Sequence, residues 1–197
     1  MKAFTQHTGI VVPFDRAGVD TDQIMPKQFL KRIERTGYGQ FLFYNWRFLD
    51  DDLTPNPQFE LNRPQLAGAT ILLTRSNFGC GSSREHAVWG IEQYGFCVII
   101  AESFADIFYN NCFKNGVLPI TLGEQYMAEL FRRATPLGYR LRVNLRQNEI
   151  LDVDGLRIKF KIDPFRRHCL LNGLDDIALT LQHKDEITKY EAVHGII

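Results

Sequence analysis

The sequence of 197 residues has no excess of either charge: 23 lysines and arginines face 23 aspartates and glutamates. General binding to nucleic acid or to an anionic membrane ordinarily draws on a basic surface, so neither is expected. No apolar run approaches the ~20 residues that a helix needs to span a bilayer. The opening residues, Met1-Lys2-Ala3-Phe4-Thr5-Gln6-His7, hold no apolar stretch of the kind a secretory signal carries. Cysteine is sparse, and Cys80, Cys97, Cys112 and Cys169 are scattered without a C-x-x-C pair. That spacing argues against a disulfide framework and predicts free thiols in a cytoplasmic protein. Internal repeats and low-complexity tracts are lacking too, which excludes solenoids and domains strung on linkers.

What is present is 45% apolar residues. A chain this long buries roughly 70% of its extended surface on folding, enough for one real core. It reads as a single domain over residues 1–197 with a helical C-terminal extension from about residue 163.

Ala69–Thr74 and Phe96–Ala101 are short apolar, β-branched runs without alternation, the mark of strands covered on both faces in a parallel sheet. Between them Ala87, Val88, Ile91 and Tyr94 recur at helical spacing before Gly95, so the three pieces form a right-handed βαβ unit. Thr8–Phe14 is an earlier strand. Ser103 is placed to cap a second helix, with Phe104, Ile107, Phe108 and Cys112 inward and Gly116 at its end. Val117–Thr121 returns as a strand whose Pro119 puts it at an edge or a strand end, and Gly123–Ala134 is helical. Alternation in Tyr139–Leu145 and again in Leu156–Ile162 predicts half-buried antiparallel strands. Asp154-Gly155 forms the tight turn that Leu151-Asp152-Val153 leads into. Asp163-Pro164 opens a helical C-terminus, and Asp175 is placed to cap a further helix. Pro26 offers a start for a helix reaching Thr36, stopped by Gly37. Asp50-Asp51-Asp52 and Thr54-Pro55-Asn56-Pro57 read as exposed loop. The fold class is α/β, a βαβ core with a small antiparallel sheet.

The chemistry concentrates in Arg75-Ser76-Asn77-Phe78-Gly79-Cys80-Gly81-Ser82-Ser83-Arg84-Glu85-His86-Ala87, which joins the end of a buried strand to the start of a helix. Ligands of α/β folds sit at such junctions, because unpaired amides and the helix dipole point at one spot. Gly79 and Gly81 let the backbone approach a ligand, and Ser82 and Ser83 offer hydroxyls. Arg84 offers a planar fork that can hold a carboxylate by two parallel hydrogen bonds. On spacing alone Ser82-Ser83-Arg84-Glu85 also fits a capping box in which Ser82 merely caps the helix, the commoner role by about two to one. No lysine follows the glycines as a Walker loop requires, and there is no G-x-S-x-G elbow of a serine hydrolase. His86, in the first helical turn, reads as structural. Asp20 and Asp22 are too small a donor set for a hard metal and read as capping or turn residues.

Gly79 to Ala87 resembles the substrate loop of the swivel domain in the aconitase superfamily, and within it the small subunits of the bacterial isopropylmalate isomerases. The likeness runs over nearly all of the chain, through Asp20-Thr21-Asp22-Gln23-Ile24-Met25-Pro26-Lys27-Gln28-Phe29-Leu30, then Ser103 to Pro119, then His168 to Ile177. The resemblance implies a swivelling β/β/α fold of the aconitase C-terminal type. It implies a hydro-lyase of leucine biosynthesis, active only with a large subunit, that interconverts 2- and 3-isopropylmalate by dehydration and rehydration through an unsaturated diacid. By motif position Ser82 is the base that removes a proton from carbon, and Arg84 is the main clamp on a substrate carboxylate with Ser83 beside it. Gly79, Cys80 and Gly81 are then the loop backbone, and Asp20–Met25, with Asp22 and Met25, the rim of the site. Pro26–Thr36 becomes a mobile recognition loop in which Met25, Phe29 and Leu30 meet the isopropyl group and Lys31 or Arg32 helps neutralise the diacid.

The family's chemistry uses a [4Fe-4S] cluster held by three protein thiolates. The scattered cysteines here do not offer that pattern, so no metal is expected on this chain and the cluster is expected on the large subunit, its partner in a heterodimer or larger assembly. Cys80 departs from aconitase itself, which has an acidic residue there, and reads as part of the pocket wall; Cys97, Cys112 and Cys169 read as core fillers. Two other readings stay open. One is the small subunit of a related dicarboxylate hydro-lyase, of homoaconitase or citraconate hydratase type; the other is a carboxylate-binding module without chemistry.

Overall fold

The structure, a computed structural model, describes residues 1–195. The chain runs β1 (Gln6–Pro13), two one-turn helices α1 (Thr21–Ile24) and α2 (Tyr44–Arg47), β2 (Ile71–Leu73), α3 (His86–Tyr94), β3 (Val98–Ala101), α4 (Asp106–Lys114), β4 (Leu118–Thr121) and α5 (Glu124–Ala134). It continues through β5 (Arg140–Asn144), β6 (Glu149–Leu151) and β7 (Arg157–Lys159) into three helices, α6 (Pro164–Asn172), α7 (Asp176–Leu181) and α8 (Lys184–Val193). The last two residues of the extension expected over 163–197 lie outside the described residues.

All the strands join one mixed sheet in the order β4-β3-β2-β1-β5-β6-β7. β1 belongs to both halves of it. Gln6–Ile10 pair antiparallel with β5, and Val11–Pro13 pair parallel with β2. The antiparallel strands are therefore continuous with the parallel core rather than a separate small sheet, because one long strand serves both. β2 and β3 are buried at every position, which is why they read as unbroken apolar runs. Val12, Leu72 and Ile99 pack on one face against α3, α4 and the aromatic residues that follow α1. Val11, Ile71, Val98 and Ile100 pack on the other against α5 and the inward residues of the antiparallel strands, Leu141, Val143, Ile150 and Ile158. The result is a layered α/β domain with apolar packing on both faces of the sheet. β4 ends the sheet, and its Pro119 lacks the N–H that a further strand would need.

The C-terminal helices start where their caps predict. Asp163 accepts from the Arg166 amide and Asp175 from the Ala178 amide, both at 2.9 Å. Elsewhere the local signals were overridden. The helix expected from Pro26 to Thr36 is a single 3-10 turn, Lys27–Lys31. Phe29 and Leu30 find apolar cover but Ile33 is 95% exposed, so no core-facing stripe exists to sustain a longer helix. Ser103 does not cap α4: the cap position is Ala105, and the Ser103 hydroxyl accepts from the Asn77 amide at 2.8 Å. Ile107 is half exposed rather than inward, while Phe108 and Cys112 are buried. No helix among the described residues is long and apolar enough to cross a membrane.

Candidate active site

Loops leave the carboxyl ends of the parallel strands β1, β2 and β3 side by side, the edge of an α/β sheet where ligands bind. Their backbones are joined. The Gly79 amide donates to the Val19 carbonyl and the Thr21 amide to the Cys80 carbonyl, both at 2.8 Å. On the other flank the Phe78 amide donates to the Ser103 carbonyl at 3.1 Å, and the Ala105 amide to the Phe78 carbonyl at 3.0 Å. Gly79 is required by this arrangement: its φ is +77°, and an added Cβ would fall on the ring of Phe108 beneath it. Gly81, at φ +95°, then turns the chain so that Ser82 lies over the start of α1.

The Ser82 amide donates to Thr21 Oγ1 at 3.1 Å, and the two hydroxyl oxygens are 3.0 Å apart. Ser82 is half exposed and Ser83 exposed, while the Ser82 hydroxyl meets that of the buried Thr21. The Ser82–Glu85 capping box does not form. α3 begins at His86 with Glu85 in the cap position and no side-chain cap, and the Glu85 carboxylate accepts from Asn115 Nδ2 at 2.7 Å. The box that does form belongs to α1, where Asp20 accepts from the Gln23 amide at 2.7 Å and the Gln23 side chain accepts from the Asp20 amide at 3.0 Å. Arg84 Nη1 is bonded to Asp22 Oδ1, and Lys27 Nζ lies 3.2 Å from the other oxygen. Partial burial pushes the Asp22 carboxyl up, but the bonds from Lys27 and Arg84 outweigh it and leave it below its ordinary range. A carboxylate thus already sits on the guanidinium, through a single hydrogen bond.

Residues 1–125 match the aconitase C-terminal domain family, and residues 176–194 match the family of C-terminal domains from 3-isopropylmalate dehydratase small subunits. The 3-isopropylmalate dehydratase small subunit of Rhodopirellula baltica is 61% identical over 196 residues, covering 99% of this chain and 100% of that one. The protein of the same name from Brevibacillus brevis is 58% identical and covers 98% and 99%. The chain belongs to the 3-isopropylmalate dehydratase small-subunit family. A solved structure of 3-isopropylmalate dehydratase from Methanocaldococcus jannaschii shares the fold with a TM-score of 0.67 at 25% identity, over 94% of this chain and 99% of that one. Membership makes the chain a hydro-lyase component of the aconitase superfamily, and its small-subunit standing implies a large-subunit partner.

In this small subunit the structure gathers Asp22, Gly79, Cys80, Gly81, Ser82, Ser83 and Arg84 at one edge. Met25 does not join them. It is 1% exposed, packed in the core so close to Gly90 that a Cβ there would lie 2.5 Å from its methyl carbon. The contact of Met25 with an isopropyl group is therefore corrected to a packing role. Phe29 stacks on Phe41 with ring centroids 4.0 Å apart and meets Tyr44 edge-on at 4.8 Å, while Leu30 is half buried. Lys31 and Arg32 are exposed, and Arg32 lies over the Phe41 ring at 5.3 Å. His86 packs against Tyr38 and Trp89; burial lowers its pKa, and the Arg84 charge adds to that against the opposing Glu85. This matches its structural reading.

The cysteines do not converge. Cys112 and Cys169 are buried, Cys97 is half buried on the core and Cys80 stands alone in the loop. Burial pushes the Cys112 thiol well above its ordinary range, away from the thiolate a metal requires. Among the described residues no group of three or more His, Cys, Asp or Glu could hold a metal ion. This donor set does not fit an iron–sulfur cluster. Sequence reasoning missed Thr21: a threonine between two aspartates carries no spacing signal, and its partner Ser82 becomes visible only when the loops after β1 and β2 meet.

Proposed function

We propose that the chain is the small subunit of a cytoplasmic, two-chain 3-isopropylmalate dehydratase, in which Ser82 is the catalytic base and Arg84 holds a substrate carboxylate. The reading takes the whole chain as one swivel-type domain with α6–α8 as its extension. A serine hydroxyl is a weak base at its free pKa, so it needs positive charge and hydrogen-bond donors beside it. The half-buried Arg84 guanidinium, two residues away, and the outward-facing glycine loop are parts of that kind. Substrate binding exchanges one carboxylate for another: the diacid takes Arg84, and Asp22 keeps Lys27. Ser82 Oγ accepts the proton from carbon as the C–O bond of the neighbouring hydroxyl breaks, and returns the proton to the other carbon on rehydration. Ser83 adds a donor beside Arg84, Phe29 and Leu30 supply the apolar contact for the isopropyl group, and Lys31 or Arg32 offsets the second carboxylate. The [4Fe-4S] cluster, with its Lewis acidity toward the leaving hydroxyl, is assigned to the large subunit.

The observation that supports this reading is a hydroxyl and a carboxylate-bearing guanidinium on one exposed glycine loop, in a chain of this family. Co-expression with a cluster-bearing large subunit and an anaerobic isopropylmalate assay tests it. Ser82→Ala should assemble normally and lose turnover, since the lost hydrogen bond to Thr21 costs only about 1 kcal/mol and a lost catalytic group about 3–4 kcal/mol or more. A variant complex retaining a tenth of the rate would remove Ser82 as the base.

A further inference from the structure

We propose that Thr21 is a positioning residue for the proton-transfer step, its buried hydroxyl donating a hydrogen bond to Ser82 Oγ that aims this oxygen and favours its alkoxide. The inference rests on the reading of Ser82 as the base and adds a second residue to it. Thr21 Oγ1 lies 3.1 Å from the Ser82 nitrogen and 3.0 Å from Ser82 Oγ. The amide can only donate, so one lone pair of Oγ1 is occupied and the hydroxyl proton is free for the remaining partner, Ser82 Oγ. A hydrogen bond to an oxyanion is among the stronger kinds, and it lowers the cost of generating the charge.

The donor is also preorganised. Thr21 is 2% exposed. Its amide is held by the Cys80 carbonyl at 2.8 Å, and its carbonyl by the Met25 amide at 2.9 Å. It opens α1 directly after the Asp20 cap, and its β-branch restricts the side-chain rotamer. A hydroxyl fixed in this way needs no reorganisation as charge develops on Ser82.

A packing role and a role for the hydroxyl rank substitutions in opposite order. Thr21→Val preserves volume and deletes the hydroxyl; Thr21→Ser deletes a buried methyl and keeps the hydroxyl. Packing favours valine over serine, whereas the hydroxyl favours serine over valine. Because the hydroxyl also accepts from the Ser82 amide at 3.1 Å, a bond that serine keeps and valine loses, donation is read separately from the pH dependence of kcat. Its rising limb moves to higher pH in Thr21→Val only if the donated bond favours the Ser82 alkoxide.

The test uses the reconstituted two-subunit enzyme and steady-state kinetics, with assembly checked by co-elution. Thr21→Val should lose about 10²-fold in kcat with KM changed less than about twofold, while Thr21→Ser keeps most of the wild-type kcat. The inference is overturned if Thr21→Val keeps most of its kcat, if KM rises in step with the loss, or if serine does no better than valine. Should the valine variant fail to assemble, Thr21→Ala against Thr21→Ser isolates the same oxygen, and equal kcat values overturn the proposal. Ser82→Ala, assayed alongside, separates the two levels. An inactive Ser82→Ala with an unaffected Thr21→Val removes Thr21 alone, whereas an active Ser82→Ala removes the base assignment itself.

Discussion

Gly79→Ala tests whether the glycine loop that carries Ser82 and Arg84 is held in place by the packing beneath it. At φ +77° any other residue adopts a left-handed conformation, which costs about 1–2 kcal/mol. The added Cβ would land on the Phe108 ring, 2.5 Å from Cδ2 and 2.6 Å from Cβ, well inside van der Waals contact. Phe108 is 2% exposed and packs edge-on against Phe78 with ring centroids 5.4 Å apart, so it has no free direction in which to retreat. Overpacking of this kind costs about 1–3 kcal/mol. The sum, about 2–5 kcal/mol, lowers Tm by about 4–20 °C in a domain of this length. Thermal and urea denaturation followed by circular dichroism measure it. Gly68→Ala is the matched control: φ is +70°, but nothing lies within 4 Å of the new Cβ, so the conformational cost stands alone. In a Phe108→Ala background Gly79→Ala should cost less than it does alone, because that change removes two of the three side-chain atoms the new Cβ would meet and the two effects are not additive. If Gly79→Ala and Gly68→Ala melt together, the packing argument is wrong.

Asp152, whose side chain is fully buried, accepts from Tyr139 Oη at 2.7 Å, Arg133 Nη1 at 2.8 Å and the amides of Asp154 and Leu156. Asp152→Ala should therefore destabilise the β6–β7 hairpin by about 3 kcal/mol, read from urea midpoints. Hydrogen bonds from Arg132 and Arg133 hold Glu129 at about 2, below its ordinary 4.5. Its contribution to stability is therefore present above the unfolded value and lost as pH falls from about 4.5 towards 2. Glu129→Gln should flatten the stability–pH curve in that window, lowering stability at neutral pH and leaving it nearly unchanged below about pH 2. Thiol labelling of the native protein, mapped by mass spectrometry, should modify Cys80 readily and spare Cys112, which reacts only after denaturation. Arg84→Lys should raise KM for the diacid about 10–100-fold in the assembled enzyme, since an ammonium cannot reproduce two parallel bonds to a carboxylate; an unchanged KM would place the clamp elsewhere.

Much of the fold was legible because burial writes itself into residue order. Ile71–Leu73 and Val98–Ala101 are covered on both faces and read as solid apolar runs; Arg140–Asn144 is covered on one face and reads as an alternation. Asp163 and Asp175 are caps whose effect is local, and each caps its helix. What sequence order could not show depends on contacts made at a distance. The Phe14, Phe43, Trp46 and Phe59 rings form one cluster under Arg16 although they come from short turns with no period. The Pro26–Thr36 helix failed because nothing in the fold covers Ile33. In the site, the glycines, Ser82 and Arg84 stood out by residue type. Ser82 does not cap because α3 starts only at His86, and its hydroxyl meets Thr21, 61 residues away, instead.

With Val19–Thr21 and Phe78–Cys80 sewn amide to carbonyl, two separate stretches of chain become a single stiff plate, anchored on the middle of the sheet through β1 and β2. Whatever angle this protein adopts against its partner, Ser82 and Arg84 travel together as one unit. Their mutual alignment is then settled while a single polypeptide folds, and docking has only to place the plate as a whole.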